Sequence, residues 1–536
     1  MNIEEKIDKS SEKKKQDNSS RVQGFSIIKK NISEVIKISN ILKSSFGPLG
    51  MDKVLYEQNG NMIITNDGAT ILEKLKIKNP IESMIVNLSK SQDEEIGDGT
   101  TGIVILTGAL LEQAEKLIDK GIHPTRIVEG FEHACDICLN HLENISENIN
   151  KNNNTYKSLL SGASTAMNSK ITNRSKKRLS EICVKAVLAV SDIIRRDVNI
   201  DLIKIEGRVG GNLEKTILLN GIIIEKEFSH QQMPKQLKDV RLSIITCPLE
   251  PPKPKSKYKI EIKNTKQYKD LDYFEQNYFH DMIIQLKKSG ANLLLCQWGF
   301  DDEGNHLLLR NKLSAVRWVS GSEIELLAVA TGAQIVPRFN EITTATLGYA
   351  SRIRENCFGN TDERVLIVEN CARSRAVSIF IRGSSDLVIK EAKRAIRDGI
   401  CVIRNLIKDS RIVFGGGSTE LSCSLKLNEK AQNSSGLKHY IFNAFSESLK
   451  SIPLVLAENA GYSPIEALYQ VINRQAEENN PYLGVDCRGK IVGNMKEQKI
   501  FETLLSKQQQ IQMAVQIAST VLRIDDIIEL ENKKHQ

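Results

Sequence analysis

The sequence predicts a multi-domain chain, mainly helical, with an α/β segment inserted into its middle. Three observations predict it. A chain of 536 residues exceeds what one ordinary core organises. Apolar residues recur at helical spacing near both ends. Between about residues 200 and 385, short β-rich runs alternate with helical stretches. The simplest architecture is one domain built from both chain ends, with another inserted into it.

Composition narrows the function classes. Hydrophobic residues make up 40%, enough to bury cores, and aromatics only 5%, low for a protein that stacks on bases. The formal charge of +8 is spread along the chain, so a solvated surface explains it better than a polyanion site. No apolar stretch has membrane-spanning length, and no charged-then-apolar leader opens the sequence. The expectation is a cytoplasmic protein with neither a nucleic-acid nor a membrane partner. Residues 1–21 read as a polar, disordered tail.

The elements follow in order. Ile27, Ile28, Ile32, Val35, Ile36, Ile38 and Ile41 mark a helix over 25–46 that stops at Gly47-Pro48. KVLYEQNGNMIIT, with Asn59-Gly60 between two strand-like runs, predicts a two-residue hairpin. Pro80 opens a helix ending near Gly97, and an apolar helix follows from Thr101. Pro124 opens another, whose spacing puts the CxxC thiols Cys135 and Cys138 on the core face rather than in a redox or zinc site. PLEPPKPKSKYKIEIK, 248–263, is an exposed excursion, followed by a long helix over about 265–289. Trp298 and Trp318 read as core anchors. Helix returns at 384–410, and Ile511, Ala514, Val515, Ala518, Val521 and Leu522 mark the last long helix.

The chemistry concentrates in glycine-flanked turns. In GDGTT, 97–101, Gly97 and Gly99 leave bare backbone at a helix start. Unpaired N–H groups and the positive dipole end attract anions there, and Thr100 and Thr101 add hydroxyl donors. Asp98 would repel a phosphate, so its presence implies Mg²⁺ between the two, since that ion takes few carboxylate oxygens along with phosphate and water. A glycine-flanked Asp alone is more often a turn or a cap. SSFGPLGMDK (44–53), TNDGAT (65–70) and GGGSTEL (415–421) repeat the pattern. No GxxxxGK[ST] stretch occurs.

Taken together, GPxGxDK at 47–53, TNDGAT at 65–70, GDGTT at 97–101, GGG at 415–417 and LRIDD at 522–526 resemble the group II chaperonins. The resemblance runs from about residue 22 to 530. Stretches such as CPLEPPKPKSK and CQWGFDDEGNHLLL are similar to one subunit type of the eukaryotic cytosolic ring in particular.

The resemblance implies a chaperonin fold: a split helical equatorial ATPase domain (22–158 and 414–536), a split intermediate hinge domain (159–219 and 377–413), and an inserted α/β apical domain (220–376). The apical domain would carry a helical lid protrusion at about 250–280. The 53–65 hairpin would pair with the tail strand near RIDDII of a neighbouring subunit. ATP and Mg²⁺ are the implied cofactors, with Asp98 on the metal. Gly47, Pro48, Gly97, Gly99, Thr100, Thr101 and Gly416 would surround the nucleotide. Asp67 and Asp398 are the implied catalytic residues, acting on the attacking water. Glu502 would accept ribose hydroxyls, with Asp486 and Lys507 nearby, and Ser169 and Lys170 match the nucleotide-sensing loop.

The implied partners are paralogous subunits in a hetero-oligomeric double ring and unfolded protein clients. Clients would meet 320–333 and 298–305, where Asp301, Asp302 and Glu303 are acidic. The reading is an ATP hydrolase driving lid closure. Its alternative is a nucleotide-binding ring scaffold with little hydrolysis, suggested by Gly399 where the family usually has alanine. A small-molecule kinase would need a second pocket for which no motif appears.

Overall fold

The computed structural model describes residues 25–56, 60, 62–75, 77, 79–149, 155–167, 174–250, 262, 264–357, 364–372 and 375–526. The chain forms two compact units, one from residues up to 173 together with 397–536, the other from 174–396.

The first unit is helical around one apolar core. Ile32 and Val35 from the Phe25–Lys43 helix, Val104 and Leu111 from Thr100–Asp119, and Phe131 from Pro124–Ile145 pack with Phe445, Ile511 and Ala518 from the far end of the chain. Thr100–Asp119 is buried along most of its length, which explains its unbroken apolar run. Asn79 caps Pro80–Glu95 by accepting from the Ile81 N–H at 3.1 Å, with Pro80 in the first turn. Ile41 departs from expectation: it is exposed, on the outer side of its helix.

Cys135 and Cys138 face this core. Burial pushes the Cys135 thiol up to about 12. The neighbouring Cys423 thiol, then burial, raises Cys138 as well. Both thiols are buried among apolar side chains, as their helical spacing implies.

Small strands complete the unit. Arg411–Phe414 lies between Glu147–Asn148 and Phe501–Thr503, antiparallel to both, with Val413 opposite Glu502. Lys53–Tyr56 and Met62–Thr65 form an antiparallel hairpin whose last pair is Tyr56↔Met62. Asn59 lies outside the described residues, as do the 1–21 tail, most of the 248–263 excursion and the end of the RIDDII strand.

The second unit is α/β. Gln236–Ile245 pairs antiparallel with Gly348–Cys357, and parallel with Leu293–Cys296 and Ile335–Val336. Seven strands make this sheet, and Ile203–Val209, Val377–Gly383 and Ile217–Leu219 make a second. The Thr265–Ser289 helix ends at Gly290 in the left-handed conformation, φ 82°. Gly321–Thr331 starts with a capping box between Ser320 and Glu323. Asp301, Asp302 and Glu303 stand at the start of Asp302–Arg310, where the helix dipole favours carboxylates.

The two tryptophans correct the sequence reading. Trp298 and Trp318 are 50% and 54% exposed, not core anchors. The core beneath is filled by Leu293–Cys296 and Val316, and both tryptophans come just after those strands end. Their rings shelter each other instead, 6.4 Å apart, and a Cβ on Gly299 would meet Trp318 at 2.7 Å.

The core reading predicts a large cost for truncating Phe131, which is fully buried and edge-on to Phe445 at 5.6 Å. Phe131→Ala should destabilise the first unit by about 3–5 kcal/mol, and Ile41→Ala by less than about 0.5. The shift of the urea unfolding midpoint checks both.

Candidate functional site

The first unit holds a cavity of about 280 Å³, close to the lower end of the range for ligand pockets. Gly47, Pro48, Asp98, Gly99, Gly416, Asp486, Glu502 and Lys507 line it. Segments some 400 residues apart in sequence therefore meet on one wall.

Helix starts build that wall. Gly99 caps Thr100–Asp119 in the left-handed conformation, φ 79°, with no side-chain cap hydrogen bond. Gly417 does the same for Ser418–Gln432, at φ 74°. Both helices leave their first N–H groups without a side-chain acceptor of their own. Asp98 accepts from the Gly99 N–H at 2.8 Å, and its carbonyl accepts from Gln92 Nε2 at 2.9 Å, which fixes the turn. At Gly416, φ 67°, a Cβ would meet Met495 Sδ at 2.7 Å and the Val485 carbonyl at 3.1 Å.

Neighbouring turns pack against this one. A Cβ on Gly68 would lie 2.5 Å from Thr101 Oγ1, so the Asp67-Gly68 turn rests on the start of the Thr100 helix. Asp67 caps Gly68–Lys74, accepting from the Thr70 N–H at 3.1 Å and its hydroxyl at 2.6 Å. A Cβ on Gly97 would collide with Cys401 of the Asp386–Lys408 helix. The same helix donates from Asn405 Nδ2 to the Ile96 carbonyl at 3.0 Å. Asp398 lies one turn before Cys401. Burial first, and the carboxylates of Asp398 and Asp93 with it, push the Cys401 thiol up to about 12.

Asp67, Gly97, Thr100, Thr101 and Asp398 are thus beside the cavity rather than among its lining residues. Ser169 and Lys170 lie outside the described residues.

Close to these turns, where a Cβ on Gly99 would lie 3.5 Å from Ser506 Oγ, the next residue, Lys507, bridges two carboxylates. Its Nζ is 2.7 Å from Glu420 Oε1 and 2.6 Å from Glu502 Oε2. Burial opposes the ammonium charge, but the two carboxylates outweigh it and raise the Lys507 pKa. Burial pushes the Glu502 carboxyl up; Lys507 pulls it back, and Glu420 and Asp98 push with burial. Asp486 accepts within its own turn from the Arg488 and Gly489 N–H groups at 2.9 and 3.1 Å, and from the more distant Gln498 Nε2 at 2.7 Å.

Glu420 and Gln510 also line the cavity and were missed in sequence. Glu420 follows the GGG turn, where a first-turn carboxylate passes for ordinary dipole compensation. Gln510 lies three residues after Lys507, on the same helix face, and that spacing was the available signal.

The donor set fits a magnesium-bound phosphate ester. Two helix starts without a side-chain cap, together with bare glycine backbone, suit phosphate oxygens. The Asp98 carboxylate could supply an acidic ligand for Mg²⁺, an ion that takes few carboxylate oxygens along with phosphate and water.

The Gly416 geometry makes a direct prediction. Gly416→Ala forces a side chain into the left-handed region and against Met495. It should cost about 1–2 kcal/mol of stability in thermal denaturation, and weaken ligand binding at this cavity.

Comparison with known proteins gives a consistent picture. The sequence pattern described as the TCP-1/cpn60 chaperonin family matches residues 38–532. T-complex protein 1 subunit epsilon of Encephalitozoon cuniculi is 47% identical over 514 residues, 96% of each chain. Thermosome subunit alpha of Thermoplasma acidophilum is 37% identical over 510 residues, 95% of this chain and 92% of its own. A thermosome subunit of Methanothermococcus thermolithotrophicus is 35% identical over 515 residues, 96% of this chain and 94% of its own.

Proposed function

The chain belongs to the TCP-1/cpn60 chaperonin family, and we propose that it works as an ATP-dependent chaperone subunit of a ring that folds non-native proteins. The observation that carries the reading is the cavity where Asp98, two glycine-capped helix starts and Glu502 meet. Likeness to subunit epsilon over nearly the whole length supports a place in a hetero-oligomeric cytosolic ring. No described helix is long and apolar enough to cross a membrane.

The domain assignment is part of the proposal: equatorial 22–158 and 414–536, intermediate 159–219 and 377–413, apical 220–376 with a protrusion at about 250–280. It is supported by the way both chain ends share one core while the middle forms its own sheets.

The residues divide the work. Asp98 would hold Mg²⁺, which when bound neutralises phosphate charge. The backbone N–H groups after Gly99, with the Thr100 and Thr101 hydroxyls, would bind and orient the phosphates. Gly47, Pro48 and Gly416 would bound the nucleotide at close approach. Glu502 would accept from the ribose hydroxyls. Ser169 and Lys170 would sense the terminal phosphate. Asp67 and Asp398 would orient the attacking water and hold its proton.

The scaffold alternative is not favoured. Its support was Gly399, and the Asp386–Lys408 helix runs unbroken through that position. A glycine there costs roughly 1 kcal/mol of helix propensity and leaves the Asp398 carboxylate in its turn.

The division of roles predicts that Asp398→Ala leaves ATP binding within about twofold of wild type. It should lower single-turnover hydrolysis by about 10²-fold or more at this subunit. Phosphate release in assembled particles whose other sites are inactivated checks it, and near-normal turnover would overturn the assignment.

A further inference from the structure

We propose that Glu420 is a positioning residue for recognition of the nucleoside end of the ligand. It anchors Lys507, so that Lys507 holds the Glu502 carboxylate toward the cavity as an acceptor for sugar hydroxyls. This rests on the nucleotide reading above.

The backbone brings the three residues together. Strands Arg411–Phe414 and Phe501–Thr503 are paired, with Val413 opposite Glu502. Each strand feeds a helix: the first reaches Ser418–Gln432 through the GGG turn, the second enters Leu504–Arg523 directly. Thr503 caps the latter, accepting from the Ser506 N–H at 3.2 Å. Glu420 and Lys507 occupy the first turns of these helices, so the strand register sets their separation.

Exposure assigns the roles. The Lys507 and Glu420 side chains are 5% and 2% exposed, whereas Glu502 is 32% exposed. Glu502 is the member of the bridge that opens. Asp486, another acidic residue of the lining, has one carboxylate oxygen engaged by its own turn and the other by Gln498 Nε2.

Glu420 is hard to explain as a structural bridge alone. Its Oε2 is buried with no hydrogen-bond partner among the described residues. An unsatisfied oxygen on a buried charge is costly, and well-packed apolar residues often replace a buried ion pair without loss. A lysine anchored only by Glu502 would retain rotamer freedom along its four-carbon stem. The second anchor removes that freedom, and Glu502 is then held by a fixed partner.

The test compares sugar recognition in the full chain in its assembled state. Isothermal titration at saturating Mg²⁺ measures binding of ATP and of 2′,3′-dideoxyATP. Wild type should prefer ATP by about tenfold, the value of hydrogen bonds to a charged acceptor. Glu420→Gln should bring that ratio close to one by weakening ATP, leaving dideoxyATP unchanged. A purely structural role would lower both affinities together, or neither, and the preserved ratio would overturn the proposal. If that variant does not fold, the double variant Glu420→Gln/Lys507→Gln removes both buried charges at once. A ratio near one supports the clamp there, and a preserved ratio overturns it. Wild type binding both nucleotides equally overturns this inference alone; wild type binding neither overturns the nucleotide reading with it.

Discussion

One apolar core joins residues 28–142 to residues 413–522, and the site depends on that union. Asp98 and Glu502 stand some 400 positions apart in sequence and line the same cavity. Neither end can bury its helices alone. The Thr100–Asp119 helix is apolar nearly all round, so it needs partners from both ends. Burying that helix sets its N-terminus, and the N-terminus carries the Asp98-Gly99 turn that lines the cavity. The packing that joins the two terminal segments therefore also brings the cavity-lining residues together.

The electrostatics follow from the same closeness. Lys507 stands between Glu420 and Glu502, and the Asp98 carboxylate is near enough to act on Glu502. Carboxylates outnumber the ammonium here, so the cavity lining sets negative side chains beside helix-start N–H groups. A ligand that combines phosphates, hydroxyl donors and a divalent cation matches that pattern. A simple anion does not, because the carboxylates would repel it.

Much of this was legible in sequence where backbone chemistry is local. Gly97, Gly99 and Gly416 adopt positive φ, and their glycine-rich context signals it. Proline marked the start of the Pro80 helix, and helical spacing put Cys135 and Cys138 on the core face. The misses are non-local. Glu420 looks like any first-turn carboxylate until Lys507 is seen beside it. Trp298 and Trp318 look like core residues until aliphatic strands are found to fill that core first. Pairings set by strand register, and competition for core volume, leave little trace at single positions.

The central claim is that the Asp98 turn binds nucleotide through a divalent cation. Equilibrium binding of ATP to the full chain, with Mg²⁺ and with EDTA, tests it most directly when repeated on Asp98→Asn. The account predicts strong magnesium dependence in wild type and its loss in the variant. Equal dependence in both proteins would contradict it.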